Sequence, residues 1–354
     1  MAVLTAGIDP GTADHYLWCT PETVRWGSLP VPGTPPVLEI DSGDTVTFDT
    51  VSQEGLMEDQ GRDPVAYFGQ FGVPPAEVLP DAVVLAESDL RRSQNPPGPH
   101  IVLGPLRVRG AEPGDWLRVD FLDLTPRVPY GIISSRHGRG ALPDILPREK
   151  DGSVAAVFSR FCALDDATGH AEYRFGAGRV PITVRPFLGL CGVTPGGAEP
   201  RSTIPPGPFG GNIDLREIVT GSSLFLPVQV EGAGFYLGDP HFAQGNGEIA
   251  LTALEGSLRV TARLTVQKSL AGHDAGAPFA ETDEHWILLG LHESLDMAMR
   301  DCARRSVDFL AARTGMTPSE AYLYLSAAAD FSITQVVDIV KGVHCAIRKR
   351  DFAA

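Results

Sequence analysis

Strict alternation of apolar and polar residues is the feature that most constrains what this chain can fold into. Between Leu258 and Gln267, apolar residues alternate with Arg, Thr and Gln, which is the period of a half-buried β-strand. Segments 37–53 and 116–124 contain the same alternation, and in each case a Gly-Asp turn precedes it. A turn that recurs before alternating strands is typical of the hairpins of a β-sandwich or barrel.

The composition agrees with a turn-rich β protein. The chain of 354 residues contains 39 glycines and 30 prolines but only 8% aromatic residues, and 43% of it is hydrophobic. This length allows one large domain or two closely packed ones with a sizeable core. The formal net charge of −15 argues against a nucleic-acid partner, because phosphate binding needs clustered Lys and Arg.

Cysteine usage and hydropathy indicate where the protein resides. The five cysteines form no CxxC pair, which predicts reduced thiols rather than a disulfide framework. The N-terminus has no basic region followed by an apolar run, so no secretory signal is expected. No stretch approaches the roughly 18 apolar residues that a membrane span requires. We therefore expect a soluble, cytoplasmic protein without a membrane partner.

The last third of the chain changes to a helical period. From Leu295, apolar or small residues recur at helical spacing until Gly315, which supplies a stop. Residues 317–320 form a capping box and predict a second helix through Ala329, and a strand from Ile333 to Val340 is expected to follow. The predicted fold class is α+β and mainly β, with β-sandwich or barrel-like sheets and a helical C-terminal segment.

Three regions organise the chain within what we expect to be one compact unit. Residues 1–130 form an N-terminal β region, 131–270 a β region with the glycine-rich motifs, and 271–354 an α+β segment. Residues 52–100 are rich in Pro, Gly and charge, and this long excursion is expected to cover a site or an interface. In the strand signal over 221–230, Pro227 predicts an edge or a bulge.

The densest polar segment runs from Gly238 to Glu248. It gathers Asp239, His241, Gln244 and Glu248 among three glycines, which would let the backbone fold tightly around a ligand. A tight hairpin, in which Asp and Gln satisfy backbone donors, would explain the same pattern.

Two further segments are candidates for a site. Residues 205–214 end in a Gly-Gly-Asn turn followed by Asp214. This pattern is equally typical of a ligand-binding loop and of a helix cap or Asx turn. Residues 95–100 lead through a Pro-rich turn to His100, where a lone histidine is more often structural than a ligand. His, Asp and Glu are nevertheless the ligand types that suit zinc with a position open to water.

Blocks along nearly the whole chain resemble the acetamidase/formamidase family. In chain order, the similar blocks are 36–48, 99–115, 210–214, 224–228, 238–248, 295–299, 320–326 and 334–338. The resemblance implies a β-rich, usually oligomeric subunit that hydrolyses formamide, acetamide or related short amides with a bound metal such as zinc. In one departure, the family commonly has Gly-Asp-Gly-Glu where this chain has Asn246.

The resemblance also implies roles for particular residues. We expect His241 and Asp214, together with His100, to hold a divalent metal ion, with zinc as the expected identity. Asp239 is expected to orient His241 through its second ring nitrogen. Glu248 is expected to move the proton between water and the leaving nitrogen, with the role of metal ligand as the open alternative.

Other functions stay open at this stage. A hydrolase of the same fold could act on another C–N bond, in a urea- or guanidine-like compound, and a larger, more polar pocket from residues 52–80 and 127–150 would favour it. Because Asn246 replaces a carboxylate, a second alternative is a non-catalytic β protein that binds a metal or a small ligand. The expected partners are a small amide and further copies of the chain, as a homodimer or higher homo-oligomer.

Overall fold

The structure is a computed structural model that describes residues 2–9, 11–90, 98–270 and 276–352. Strands make up 39% of it and helices 17%, which confirms the predicted α+β, mainly β fold. Across these ranges, each helix is too short or too polar to cross a membrane.

Strands form the framework of the described part of the chain. In chain order they are β1 (His15–Trp18), β2 (Val24–Trp26), β3 (Leu38–Ile40), β4 (Thr45–Asp49), β5 (Ile101–Val108), β6 (Trp116–Pro126), β7 (Tyr130–Arg136), β8 (Val157–Asp165), β9 (His170–Phe175), β10 (Gly178–Thr183), β11 (Phe187–Val193), β12 (Gly210–Asn212), β13 (Ser223–Pro227), β14 (Ala233–Ala243), β15 (Leu254–Glu255), β16 (Leu258–Gln267), β17 (Phe279–Glu281), β18 (His285–His292), β19 (Asp330–Gln335) and β20 (Lys341–Arg348). The α-helices are α1 (Pro64–Gly69), α2 (Pro80–Glu87), α3 (Leu295–Thr314) and α4 (Pro318–Ala328), and short 3-10 turns cover Glu58–Gln60, Pro75–Glu77 and Lys349–Phe352.

Two large sheets contain these strands. One has nine strands in the order β1-β4-β16-β6-β13-β17-β18-β20-β19. The other sheet has eleven strands, eight of which follow the order β10-β9-β8-β7-β15-β14-β11-β12. The remaining three branch from β14, because β5 pairs with β14 and also with β2 and β3. Neither sheet closes into a barrel. Strands from all three predicted regions lie side by side in the nine-stranded sheet, while the proposed division of the chain stays a prediction.

A shared apolar core joins the two sheets. The rings of Phe48 on β4 and Phe235 on β14 lie 6.1 Å apart between centroids, so side chains of the two sheets meet directly. On β18, Ile287 and Leu289 belong to this core, whereas Trp286 and Leu288 pack on the opposite side with helices α3 and α4. The nine-stranded sheet is therefore buried on both faces where the helices cover it.

The C-terminal helices confirm their sequence signals. Helix α3 ends at Thr314, and Gly315 follows with a left-handed φ of 78°. Thr317 and Glu320 make both hydrogen bonds of the capping box at the start of α4. These caps satisfy backbone groups that each helix end leaves unpaired.

The predicted strand from Ile333 to Val340 was wrong. Strand β19 ends at Gln335, and a turn separates it from β20. The Gln335 side chain accepts hydrogen bonds from the backbone N–H groups of Val337 and Asp338 and donates one to the Val340 carbonyl. These local bonds stabilise a turn in place of continued strand pairing.

The edge position predicted from Pro227 was also wrong. Strand β13 lies inside the nine-stranded sheet, where it pairs with β6 on one side and β17 on the other. Pairing with β17 covers only Ser223 to Phe225, and Pro227 is the last residue of β13. The proline therefore lies beyond the ladder with β17.

Buried ion pairs fix the long excursion after β4. The fully buried Arg127 guanidinium donates to Asp81 on α2 and to the Thr50 carbonyl, at 2.8 and 2.9 Å. Arg136 on β7 forms ion pairs with Glu54 at 3.1 Å and Asp59 at 2.6 Å. These contacts hold residues 53–59 against the end of β7, where they border the cavity described below.

Candidate functional site

A cavity of about 300 Å³ opens beside β14. Its walls come from the excursion after β4, the entrance of β5, the end of β7, the segment around β12, the residues after β14 and the turn before β20. The lining residues are Gln53, Glu54, Met57, Asp59, Gly98, Pro99, His100, Arg136, Arg139, Ile204, Asn212, Asp214, Asp239, Glu248, Leu251, Thr252, Glu255, Val337 and Asp338. The excursion therefore contributes directly to the cavity, together with residues 136–139.

His241 lies at the centre of the charged residues and is fully buried on β14. Gln244 Nε2 donates to the Asp214 carbonyl oxygen, which orients the amide so that Gln244 Oε1 faces His241 Nδ1 at 3.2 Å. Nδ1 therefore carries the hydrogen in this contact. The other ring nitrogen, Nε2, lies 3.2 Å from Asp239 Oδ2 and 3.1 Å from Glu255 Oε1.

His241 Nε2 makes no hydrogen bond to any described residue despite these short distances. Burial alone would lower the pKa of His241, but the carboxylates of Glu255 and Asp239 raise it well above its usual value. A buried nitrogen between two carboxylate oxygens needs either a proton or a metal ion to offset their charge.

Three carboxylates of the site have unusual backbone conformations. The φ angles are 50° at Asp214, 51° at Asp239 and 44° at Glu248, all in the left-handed region that favours glycine. Such conformations cost free energy and persist only where the surrounding structure enforces them. Their coincidence at one cavity indicates that the fold holds these side chains in position for a function.

His100 approaches the same cluster from the entrance of β5. Its Nδ1 lies 3.0 Å from the Thr203 hydroxyl, and its Nε2 lies 3.8 Å from Asp239 Oδ2. Burial opposes ionisation of Asp239, but the neighbouring imidazoles of His241 and His100 lower the pKa of its carboxyl group. The structure thus brings His100, Asp239 and His241 together, whereas residues 91–97, which include most of the Pro-rich turn before His100, lie outside the described ranges.

A second carboxyl cluster consists of Asp214, Glu248 and Asp338. Burial raises the pKa of Glu248 well above its usual value, and the nearby Asp214 raises it further. Burial and Asp214 likewise raise the pKa of Asp338. Since like charges this close cannot all ionise, the cluster must share protons or bind a cation.

Two groups of side chains have the composition of a metal site. Asp214, His241 and Glu248 form one group, and Asp239, His241 and Glu255 form the other, with ligand atoms within 4.8 Å of one another in each. Imidazole nitrogen and carboxylate oxygen suit zinc and related divalent ions. The unpartnered His241 Nε2 shows that these residues fit a bound metal ion.

Sequence reasoning missed three residues of the site. Glu255 lies opposite His241 in the pairing of β14 with β15, and an isolated charge in an otherwise apolar segment was the available signal. Asp338 stands in a block that resembles the family, but no role had been assigned to it. Gln53 donates through Nε2 to Asp239 Oδ1 at 3.0 Å and Glu255 Oε2 at 3.3 Å, which only the fold brings together.

The glycine-rich segment from Gly238 to Glu248 is part strand and part turn. Gly238 to Ala243 continue β14, which pairs with β5 on one side and β11 on the other. Gly238 allows this pairing, because a Cβ there would collide with the Ile101 carbonyl oxygen. Only the residues after Ala243 form the turn that carries Glu248.

Gly189 on β11 packs against the site, and its replacement by alanine is expected to disrupt it. A Cβ at this position would collide with Asp214 Oδ1 and lie 2.6 Å from His241 Cε1 and 2.7 Å from Asp239 Oδ2. Overpacking of this kind costs about 1–3 kcal/mol, and we expect the free energy of unfolding to fall by that amount and the uptake of an added divalent metal ion to weaken.

Urea denaturation and elemental analysis after zinc reconstitution would measure both effects. Gly196→Ala is the matched control, because its Cβ would have an ordinary 3.5 Å contact with Gln229. Unchanged stability and metal binding in Gly189→Ala would mean that the cluster can shift without loss.

Comparison with known proteins shows similarity to one sequence family. Residues 193–348 match the model of the Acetamidase/Formamidase family. Acetamidase from Mycolicibacterium smegmatis is 32% identical over 201 residues, which cover 42% of this chain and 49% of that protein. The chain spans about half the length of the curated relatives it matches.

Solved structures extend the similarity to the whole fold. The crystal structure of acetamidase from Bacillus halodurans superimposes with a TM-score of 0.74 at 26% identity, covering 95% of this chain and 98% of that one. Acetamidase from Yersinia enterocolitica gives a TM-score of 0.75 at 25% identity, covering 100% and 96% of the two chains.

Proposed function

We propose that the chain is a member of the acetamidase/formamidase family and that it hydrolyses small linear amides to a carboxylate and ammonia with a divalent metal ion bound at His241. The observation that carries the proposal is the unpartnered Nε2 of His241, buried between Asp239 and Glu255, two residues that line the cavity. A perturbed titratable cluster in a cavity is the usual character of an active site.

The hydrogen bonds of His241 favour one ligand set. Because Nδ1 donates to Gln244, Nε2 is the nitrogen free to bind the metal, with Asp239 and Glu255 beside it. His100 Nε2 is the nearest further candidate, at 3.8 Å from Asp239. The expectation that Asp214 is a ligand and that Asp239 only orients His241 becomes the competing assignment, which site variants can separate.

The chemistry of an amide explains the need for this site. Nitrogen donation leaves the amide carbonyl weakly electrophilic, and the departing nitrogen needs a proton. A bound divalent metal ion polarises a carbonyl and lowers the pKa of water. In the proposal, Glu248 removes a proton from the attacking water and delivers it to the leaving nitrogen, for which a carboxyl group with a raised pKa is suited.

Gln53 supplies a contact for the amide nitrogen. Its Nε2 is engaged by Asp239 and Glu255, so its carbonyl oxygen is left without a partner in the described part of the chain. Since Gln53 lines the cavity, this oxygen can accept an N–H of the substrate. The contact would favour an unsubstituted amide nitrogen.

Ammonia release from a panel of formamide, acetamide, propionamide, urea and guanidine tests the proposal. We expect release from the amides, loss of activity after prolonged chelation and recovery when zinc or a similar divalent ion is restored. Full activity in a verified metal-free sample would refute the proposed metal dependence. Absence of ammonia release from every amide would refute the proposed amide hydrolysis.

One observation favours the second candidate, hydrolysis of a urea- or guanidine-like compound. Gln53 Oε1, Asn212 Oδ1 and Asp338 Oδ2 are buried acceptors of the cavity wall for which the described residues offer no hydrogen bond. A nitrogen-rich substrate with several N–H groups would satisfy more of them than an amide does. Preference for urea or guanidine in the same panel would select this alternative.

Two further expectations belong to the proposal. The resemblance to the family implies a homo-oligomer, for which a symmetric dimer is the default closed assembly. Zinc is the expected metal, because the candidate ligands are imidazole nitrogens and carboxylate oxygens.

A further inference from the structure

The cavity is larger than the simplest amides require. Its volume of about 300 Å³ lies in the range of roughly 300–1,000 Å³ that is typical of sites for larger small molecules. Formamide and acetamide, with three and four heavy atoms, would leave most of this space to water.

Apolar side chains line the space beside the charged cluster. Met57 is buried, whereas Ile204, Leu251 and Val337 are half-buried and keep apolar surface exposed within the cavity wall. Exposed apolar surface next to a reaction site gains free energy when a ligand covers it.

Three of these side chains are close in sequence to a polar residue of the site. Val337 precedes Asp338, and Ile204 follows Thr203, which contacts His100. Leu251 follows Glu248 by three residues and has a left-handed φ of 107°, an unusual conformation for a leucine. The same segments that position the polar groups therefore also present the apolar surface.

We propose that the preferred substrates are primary amides with an acyl chain longer than acetyl, of about four to six carbons, whose chain packs against Met57, Ile204, Leu251 and Val337. The inference rests on the proposed amide hydrolysis and adds the substrate class. Water adds to the carbonyl carbon, the C–N bond breaks, and the products are the carboxylate and ammonium, without oxidation or reduction.

A homologous series of primary amides from formamide to hexanamide tests the inference. Each methylene group that moves from water into an apolar site raises the equilibrium constant for that transfer by about fourfold. We therefore expect kcat/KM to rise by about fourfold for each added methylene until the apolar space is filled. If kcat/KM stays constant along the series, or falls from acetamide onward, the inference is overturned, whereas the proposed amide hydrolysis still holds.

A pair of methionine variants assigns the effect to the cavity. Met57→Ala is expected to lower the ratio of kcat/KM for hexanamide to that for acetamide by roughly three- to tenfold, because apolar contact with the chain is lost. Met297→Ala is the matched control, since Met297 lies on α3, outside the cavity and 41% exposed. An unchanged ratio in Met57→Ala would contradict the proposed position of the chain.

Binding without turnover separates this inference from the proposed function. If no amide of the series releases ammonia, the proposed hydrolysis fails, and calorimetry with hexanamide and acetamide still tests the apolar site. Tighter binding of hexanamide with a more negative heat-capacity change is expected. Equal or weaker binding of hexanamide would overturn the inference independently of catalysis.

Discussion

His241→Ala is expected to lose both the proposed metal ion and the proposed amidase activity. His241 is fully buried, and its Nε2 lies 3.2 Å from Asp239 and 3.1 Å from Glu255, so the variant removes the nitrogen that both carboxylates face. Loss of the metal removes several kcal/mol of transition-state stabilisation, which corresponds to a fall in kcat/KM of roughly 10³-fold or more. Elemental analysis and ammonia release measure the two effects on the same sample.

His285→Ala is the matched control for this variant. His285 lies on β18 in the other sheet with a partly exposed side chain, and its replacement should preserve metal content and activity. Retention of a full equivalent of metal in His241→Ala would contradict the assignment of His241 as a ligand. The metal site would then have to lie away from β14.

Two carboxamide variants then distinguish the competing ligand sets. If Asp239 and Glu255 flank the metal with His241 Nε2, Glu255→Gln should lose metal whereas Asp214→Asn should retain most of it. The opposite result would restore Asp214 as the ligand and leave Asp239 to orient the imidazole.

Glu248→Gln is expected to keep the metal ion and the fold but to lower kcat by roughly 10²–10⁴-fold, the usual worth of a positioned acid–base group. The side chain is buried in the cavity wall, and its Oε2 has no hydrogen-bond partner in the described ranges. Glutamine preserves size and hydrogen bonding but cannot accept a proton from water. Single-turnover kinetics, metal content and thermal melting measure the three properties.

The control for Glu248→Gln is Glu217→Gln. Glu217 lies outside the cavity, 3.8 Å from His344, and its replacement should leave kcat unchanged. Loss of metal from Glu248→Gln would make Glu248 a ligand in the group with Asp214 and His241. Hydrolysis at the parental rate would mean that Glu248 has a structural role.

Much of the fold could be predicted because its signals are local. The alternation from Leu258 to Gln267 matches β16 in both bounds, and the capping box at Thr317 begins α4. Side-chain direction in a strand and cap hydrogen bonds depend on residues close in sequence, so a pattern of a few residues suffices. The strand expected up to Val340 failed where the Gln335 side chain stabilised a turn instead.

The candidate site could be predicted only in part. All five predicted residues, His100, Asp214, Asp239, His241 and Glu248, line the cavity or, for His241, lie directly behind it. The roles assigned to them stay predictions. Their composition and the resemblance to a family pointed to them, but neither indicates which ring nitrogen faces which carboxylate.

Local patterns in the chain predicted the mainly β class, the C-terminal helices and the polar segment around His241, because each depends on neighbouring residues. Tertiary packing was needed to bring Glu255, Gln53 and Asp338 to these residues at one cavity. Pairing of β14 with β15 and the packing of the excursion after β4 bring together groups about 200 residues apart, such as Gln53 and Glu255. The titration of the carboxyl groups depends on this packing, since burial raises the pKa of Glu255 to about 8 and the pKa of Glu248 well above its usual value.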